Sequence, residues 1–226
     1  MRTLVEAEIA ARDEANLRGR LRSAGFPQPK RLDDFQLAAS SIPRPTFDYL
    51  ASLEWVRSTD NACLIGPPGT GKSHVLIGCG IAAIQAGLRV RYLRADELVE
   101  HRYRGLADNS VGKQIEALLR FQLVIVDEIG FAPLDDTGAQ LLFRFVAAAY
   151  ERRSLGIASH WPFEEWGRFL PEHSTAVALL DRLLHHAIIV TTAGESFRMR
   201  EAKTRADGRP GPPRSDGTVA ATAGTA

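Results

Sequence analysis

Residues Gly66-Pro67-Pro68-Gly69-Thr70-Gly71-Lys72-Ser73 fit the pattern G-x-x-x-x-G-K-[ST] without a mismatch. The glycines allow backbone N–H groups to turn inward around phosphate oxygens. Lys72 then reaches the terminal phosphates, and the Ser73 hydroxyl is placed to ligate Mg²⁺. The flanks suit the motif. Asn61 to Ile65 is a short apolar run, as a buried strand requires, and Ser73 to Ala86 is apolar with no proline, as a helix facing an anion requires. All eight loop residues are therefore candidate nucleotide contacts.

The rest of the chain alternates strand and helix patterns. Glu6 to Ser23 reads as a helix with i,i+4 pairs Glu8–Arg12 and Glu14–Arg18, stopped at Gly25. Phe26 to Pro45 holds four prolines and reads as an extended linker, with Leu32 and Phe35 expected to tuck against the domain. Phe47 to Arg57 reads as one amphipathic helix. Strands are expected at Asn61–Ile65, Leu88–Leu93, Leu123–Val126, Ser154–Ser159 and Ala187–Thr191. Helices are expected at Asp96–Arg104, Lys113–Phe121, a segment capped by Asp135 or Asp136, and Thr175–Leu184. The unbroken apolar run Leu123–Val126 is the pattern of a strand buried on both faces. These elements imply an α/β fold with a five-stranded parallel sheet flanked by helices. From Lys203 onward the chain has no apolar periodicity and reads as a disordered tail.

Asp127-Glu128 follows that apolar strand. An acidic residue at a strand tip beside a nucleotide can hold Mg²⁺ through its water shell. The next carboxylate, Glu128, would sit nearer the γ-phosphate, where it can orient and deprotonate a water. Together they point to hydrolysis of a nucleoside triphosphate. Ser159 and His160 end the fourth strand, where a polar group can bond the attacking water, or simply complete a turn. Arg182, in Asp181-Arg182-Leu183, is either an arginine finger for a neighbouring subunit or half of a surface Asp–Arg pair. No motif marks a DNA contact; Arg102, Arg104 and Lys113, basic residues between the second and third strands, are the candidates, a choice that rests on the family resemblance given below.

With 45% hydrophobic and 24% charged residues, the 226-residue chain can fill a core. No apolar run approaches the roughly 20 residues of a membrane span, and Met1 to Arg12 lacks a signal-peptide core, so no membrane association and a cytoplasmic location are expected. Cys63 and Cys79 sit in the apolar elements flanking the loop and read as buried thiols. Residues 1–31 carry seven Lys/Arg against four Asp/Glu, and residues 198–226 six against three. Basic ends on an acidic centre suit a polyanion or an acidic partner reached through the termini, or are plain solvated ends.

Further stretches carry a resemblance. They are Val126-Asp127-Glu128-Ile129-Gly130, Tyr150-Glu151-Arg152-Arg153-Ser154, Ser159-His160-Trp161-Pro162-Phe163-Glu164-Glu165-Trp166, Asp181-Arg182-Leu183-Leu184-His185-His186 and Gly194-Glu195-Ser196-Phe197-Arg198. With the phosphate loop and Ala24-Gly25-Phe26-Pro27-Gln28-Pro29-Lys30, they resemble the IstB-like helper ATPases of bacterial insertion sequences. These are AAA+ proteins close to the DnaC helicase loaders. The resemblance covers Glu6 to Glu201. It implies a P-loop fold of AAA+ type, ATP and Mg²⁺ as cofactors, and assembly on double-stranded DNA as an ATP- and DNA-dependent homo-oligomer. It also implies a transposase of the same element as partner.

Carried over, Lys72 is the phosphate ligand, Ser73 and Asp127 the Mg²⁺ ligands, Glu128 the catalytic glutamate, His160 the first sensor and Arg182 the finger. The implied domains are residues 1–45 (N-terminal helix and linker), 46–201 (ATP-binding) and 202–226 (tail). Two positions depart from the family. His160 stands where Asn is usual, and the partner-binding stretch before Leu4 is shorter than in relatives. The alternatives are a DnaC-like helicase loader, a small-molecule P-loop kinase, which Glu128 argues against, and a non-hydrolysing, nucleotide-gated DNA-binding protein.

Overall fold

The computed structural model describes residues 2–171 and 173–207. In chain order the elements are α1 (Arg2–Ala24), a 3₁₀ turn (Leu37–Ala39), α2 (Arg44–Ser52), α3 (Glu54–Arg57), β1 (Asn61–Ile65), α4 (Lys72–Gln85) and β2 (Val90–Arg94). There follow α5 (Ala95–Ala107), α6 (Val111–Leu118), β3 (Leu123–Ile129), α7 (Asp136–Ala149) and β4 (Ser154–Ser159). A second 3₁₀ turn (Phe163–Arg168), α8 (His173–Leu184), β5 (Ala187–Thr191) and α9 (Phe197–Asp207) complete the order.

The five strands form one parallel sheet in the order β2-β3-β4-β1-β5. Successive strand residues face opposite sides of a sheet, and the two cores follow that period. Ala62, Leu64, Leu123 and Ile125 point to one face, where α1 to α4 pack through Ala24, Leu50, Trp55, Leu76 and Ile84. Cys63, Ile65, Val124 and Val126 point to the other, under Leu98, Ile115, Phe145, Leu179 and Leu183 from α5 to α8. The two cysteines thus belong to different cores; both are free and buried, and burial pushes each thiol up to about 12.

Every strand ends at the same edge. Ile65 stands beside Ser159 and Thr191, and Arg94 beside Asp127. In a parallel sheet this carboxyl edge is where ligands bind, so the register alone gathers the candidate residues of β1, β3 and β4.

Several expectations are corrected. The helix expected over Phe47–Arg57 is two helices, broken at Leu53, whose φ of 60° is left-handed. The third strand continues past Val126 to Ile129 through an irregularity at Glu128, where φ is 58°. Asp135, not Asp136, caps α7, accepting from the Gly138 amide at 2.8 Å. Helix α9 runs to Asp207, into the stretch read as a tail; residues 208–226 of that stretch lie outside the described residues. Leu32 and Phe35 pack on the core as expected. No helix among the described residues is long and apolar enough to cross a membrane.

Candidate nucleotide site

The loop between β1 and α4 is built by its glycines. Gly66, Gly69 and Gly71 have φ of 142°, 79° and 95°, which side-chain-bearing residues rarely adopt. Each is also crowded. An added Cβ would lie 2.1 Å from the Thr192 carbonyl oxygen at Gly66, 2.0 Å from Ser196 Oγ at Gly69, and 2.6 Å from Phe35 Cε2 at Gly71. The first amides of α4, which begins directly after the loop, have no partner within the helix, and an anion there would satisfy them.

Lys72 is 8% exposed, and its ammonium donates to the carbonyls of Gly66 and Pro67, each at 2.6 Å. Burial pulls this ammonium down to about 8; the Asp127 carboxylate opposes the shift and Arg198 adds to it. Asp127 is 4% exposed at the end of β3, with Oδ2 accepting from the Tyr92 hydroxyl at 2.8 Å and Oδ1 from the Glu128 amide at 2.8 Å. Burial first, then this carboxylate, holds the Tyr92 hydroxyl far above its usual value, so it stays a donor. Each Asp127 oxygen keeps a lone pair for a metal-bound water. The buried Asp127 carboxylate and the Ser73 hydroxyl at the start of α4 are oxygen donors of the kind Mg²⁺ takes.

Glu128 is different. The left-handed backbone turns its side chain out of the sheet, and Arg94 Nε meets its Oε2 at 3.1 Å. Both side chains are nearly half exposed, so this ion pair positions the carboxylate more than it stabilises the fold. Behind it, Trp161 Nε1 donates to Gly130 O and Trp166 Nε1 to Trp161 O. The Trp161–Trp166 stretch therefore braces the turn after Glu128.

His160 lies at the end of β4 with its ring against Trp161, centroids 4.7 Å apart. Burial, and secondly the Lys72 charge, hold its imidazole below the usual value. The neutral form, one donor and one acceptor, is thus favoured beside the loop. Ser159 is not available: its hydroxyl donates to Ile129 O at 2.9 Å and accepts from the Trp161 amide.

Arg182 stands apart. Its guanidinium bonds Ala178 O at 2.9 Å on its own helix and lies 5.1 Å over the Phe143 ring. Helix α8 buries Ala176, Leu179 and Leu183 and packs Leu180 and Leu184 against the same core, while Val177 is 53% exposed. Arg102, a candidate DNA contact, is buried at 4% exposure; its Nη1 reaches only Leu98 O at 3.3 Å and its Nε has no partner. Arg104 is exposed and paired with Glu100 at 2.6 Å.

Four further residues contribute to the loop's surroundings, none of them read as a site residue from the sequence. Arg94 is the register partner of Asp127. Thr192 Oγ1 meets Thr70 Oγ1 at 2.7 Å and also bonds Ile65 O. Phe35 packs on Gly71, stacks on Phe47 at 5.4 Å and edges onto His74. Arg198 acts on the charge of Lys72, brought there by the Phe197 amide bonding Gly69 O at 2.9 Å. Two of them had a sequence signal: Arg198 in following Gly194-Glu195-Ser196-Phe197, and Phe35 as an apolar residue of the linker.

Comparison with known proteins gives the family and the fold. The family model described as IstB-like ATP binding protein matches residues 1–205. An insertion sequence IS21 protein of Pseudomonas aeruginosa, named for ATP binding, is 34% identical over 200 residues, 88% of this chain and 76% of that one. AMPPCP-bound DnaA from Aquifex aeolicus superposes with a TM-score of 0.60 at 19% identity, covering 80% of this chain and 56% of its own, so this chain spans a little over half of DnaA. The DnaC helicase loader superposes with a TM-score of 0.57 at 12% identity, covering 72% and 96%. These likenesses show an α/β fold of P-loop AAA+ type.

Proposed function

Since the chain belongs to the IstB-like ATP binding protein family, we propose that it is an ATPase of an insertion sequence. In this reading it assembles on double-stranded DNA as an ATP-dependent homo-oligomer and assists the element's transposase in choosing a target. The observation that carries the chemistry is one edge of one sheet presenting Lys72, Asp127 and Glu128 together.

Loop amides and Lys72 bind the phosphates, the ammonium exchanging the Gly66 and Pro67 carbonyls for phosphate oxygens. Ser73 and Asp127 hold Mg²⁺, which when bound neutralises charge on the phosphates. Glu128, aimed by Arg94, takes the proton of the attacking water. His160 donates from its neutral ring to that water or to the γ-phosphate. Arg182 serves a neighbouring subunit, and for that it must leave Ala178 O and Phe143.

Calorimetric titration with a non-hydrolysable ATP analogue tests the site. Lys72→Ala is expected to lower affinity at least about tenfold, roughly 1.4 kcal/mol. Equal affinity in folded variant and wild type would remove the assignment.

A further inference from the structure

We propose that Glu151, His185 and His186 form a site for a divalent transition-metal ion of the zinc class. Glu151 lies in the turn between α7 and β4, held at a φ of 55°; His185 and His186 join α8 to β5. Each offers one ligand atom, and these atoms all lie within 4.8 Å of one another. His186 Nε2 is 3.8 Å from Glu151 Oε1, and the two imidazole rings are 4.1 Å apart between centroids.

With metal–ligand bonds of about 2.0–2.2 Å, a tetrahedral ion needs its ligand atoms about 3.3 Å apart. All three side chains are exposed, and a closure of up to about 1.5 Å brings their ligand atoms to that spacing. The Tyr150 hydroxyl meets Nδ1 of His185 at 2.7 Å, which orients that ring, and coordination would then use Nε2. A hydroxyl can accept as well as donate, so Tyr150 can take the Nδ1 proton's hydrogen bond once Nε2 is coordinated, the usual outer-shell arrangement for a metal-bound histidine.

Two imidazoles and one carboxylate select zinc, nickel or copper over the oxygen-seeking Mg²⁺ expected at the phosphate loop. The two sites are also apart. Glu151 and His186 precede β4 and β5, whereas the loop lies at the carboxyl edge, about 15 Å away along a five-residue strand. The ion would tie the α7–β4 turn to the end of α8. His185 is bonded through its amide to Asp181 O at 3.2 Å, next to Arg182, so the site anchors the helix end that carries the candidate finger.

The test is calorimetry of the untagged full chain with zinc chloride, without nucleotide. One ion per chain is expected to bind, weakened at least about tenfold in His185→Ala and in His186→Ala. His101→Ala, an exposed histidine on α5, is expected to bind as wild type does. Cobalt absorption of the wild-type protein gives a reading that needs no variant, and intense visible bands of a tetrahedral site are expected. Absence of zinc binding up to millimolar concentration, binding undiminished in both histidine variants, or only the weak spectrum of octahedral cobalt would each overturn the proposal.

Discussion

Lys72 lies under the glycine loop with its ammonium on two carbonyls, while Arg182 lies along its own helix with its guanidinium over Phe143. Both are cations read as phosphate ligands, yet the chain prepares them in opposite ways. Lys72 is held at the loop by two carbonyls whose place phosphate oxygens could take. The cost of holding it there is paid in desolvation, which pulls its ammonium down to about 8. Arg182 is satisfied on its own helix and, on the proposed reading, would have to move to act. That reading makes the phosphate-binding half of the site the work of one chain and the finger half a matter of what assembly would do to α8.

Removing each cation sharpens that contrast. Arg182→Ala is expected to cut DNA-stimulated hydrolysis by about 10³, the scale of a finger in other NTPases, and to leave analogue binding by the monomer intact. Mixing it with Lys72→Ala protein should restore part of the activity, because one variant keeps a whole site and the other keeps the finger. Mixed oligomers with no recovered phosphate release would instead tie Arg182 to Ala178 and Phe143 as a purely structural group.

The pH dependence of binding separates the two cations again. The free Lys72 ammonium loses its proton as pH rises through about 8, and phosphate binding requires it charged. Analogue affinity should thus be flat from pH 6 to 7 and fall above 8, by at most about tenfold per pH unit. Titrations at pH 7 and 9 giving one affinity would show that the ammonium is not held down by burial.

Smaller effects come from glycines in the two kinds of region. Gly66→Ala drives a Cβ against the Thr192 backbone at φ 142°, so thermal unfolding should come several degrees earlier. Gly19, inside α1, has nothing within 4 Å of an added Cβ, and Gly19→Ala should stabilise the helix by about 0.5–1 kcal/mol. Melting curves of the two variants check both signs.

The part of the site that a local pattern can hold was legible in the sequence. Gly66 to Ser73 and Asp127-Glu128 need only their neighbours to make sense, and the sheet follows from where apolar runs begin and end. Arg94 and Thr192 were not legible, because they come to the loop through strand register; Phe35 was legible as packing on the domain, but its seat on Gly71 was not. Arg102 misled for a related reason. A basic residue on a polar helix reads as exposed, and only the packing of α5 buries it. The kink at Glu128 was likewise hidden, since the apolar pattern stops at Val126 while pairing resumes at Ile129.

The central claim is that Glu128, turned out of the sheet beside a complete phosphate loop, is the base for ATP hydrolysis. Glu128→Gln keeps the side chain's shape and removes its basicity. Parallel measurement of analogue affinity and phosphate release on this variant is the most direct test. Affinity within about twofold of wild type, with release slowed by roughly 10² or more, is the predicted result. Release at the wild-type rate would contradict it.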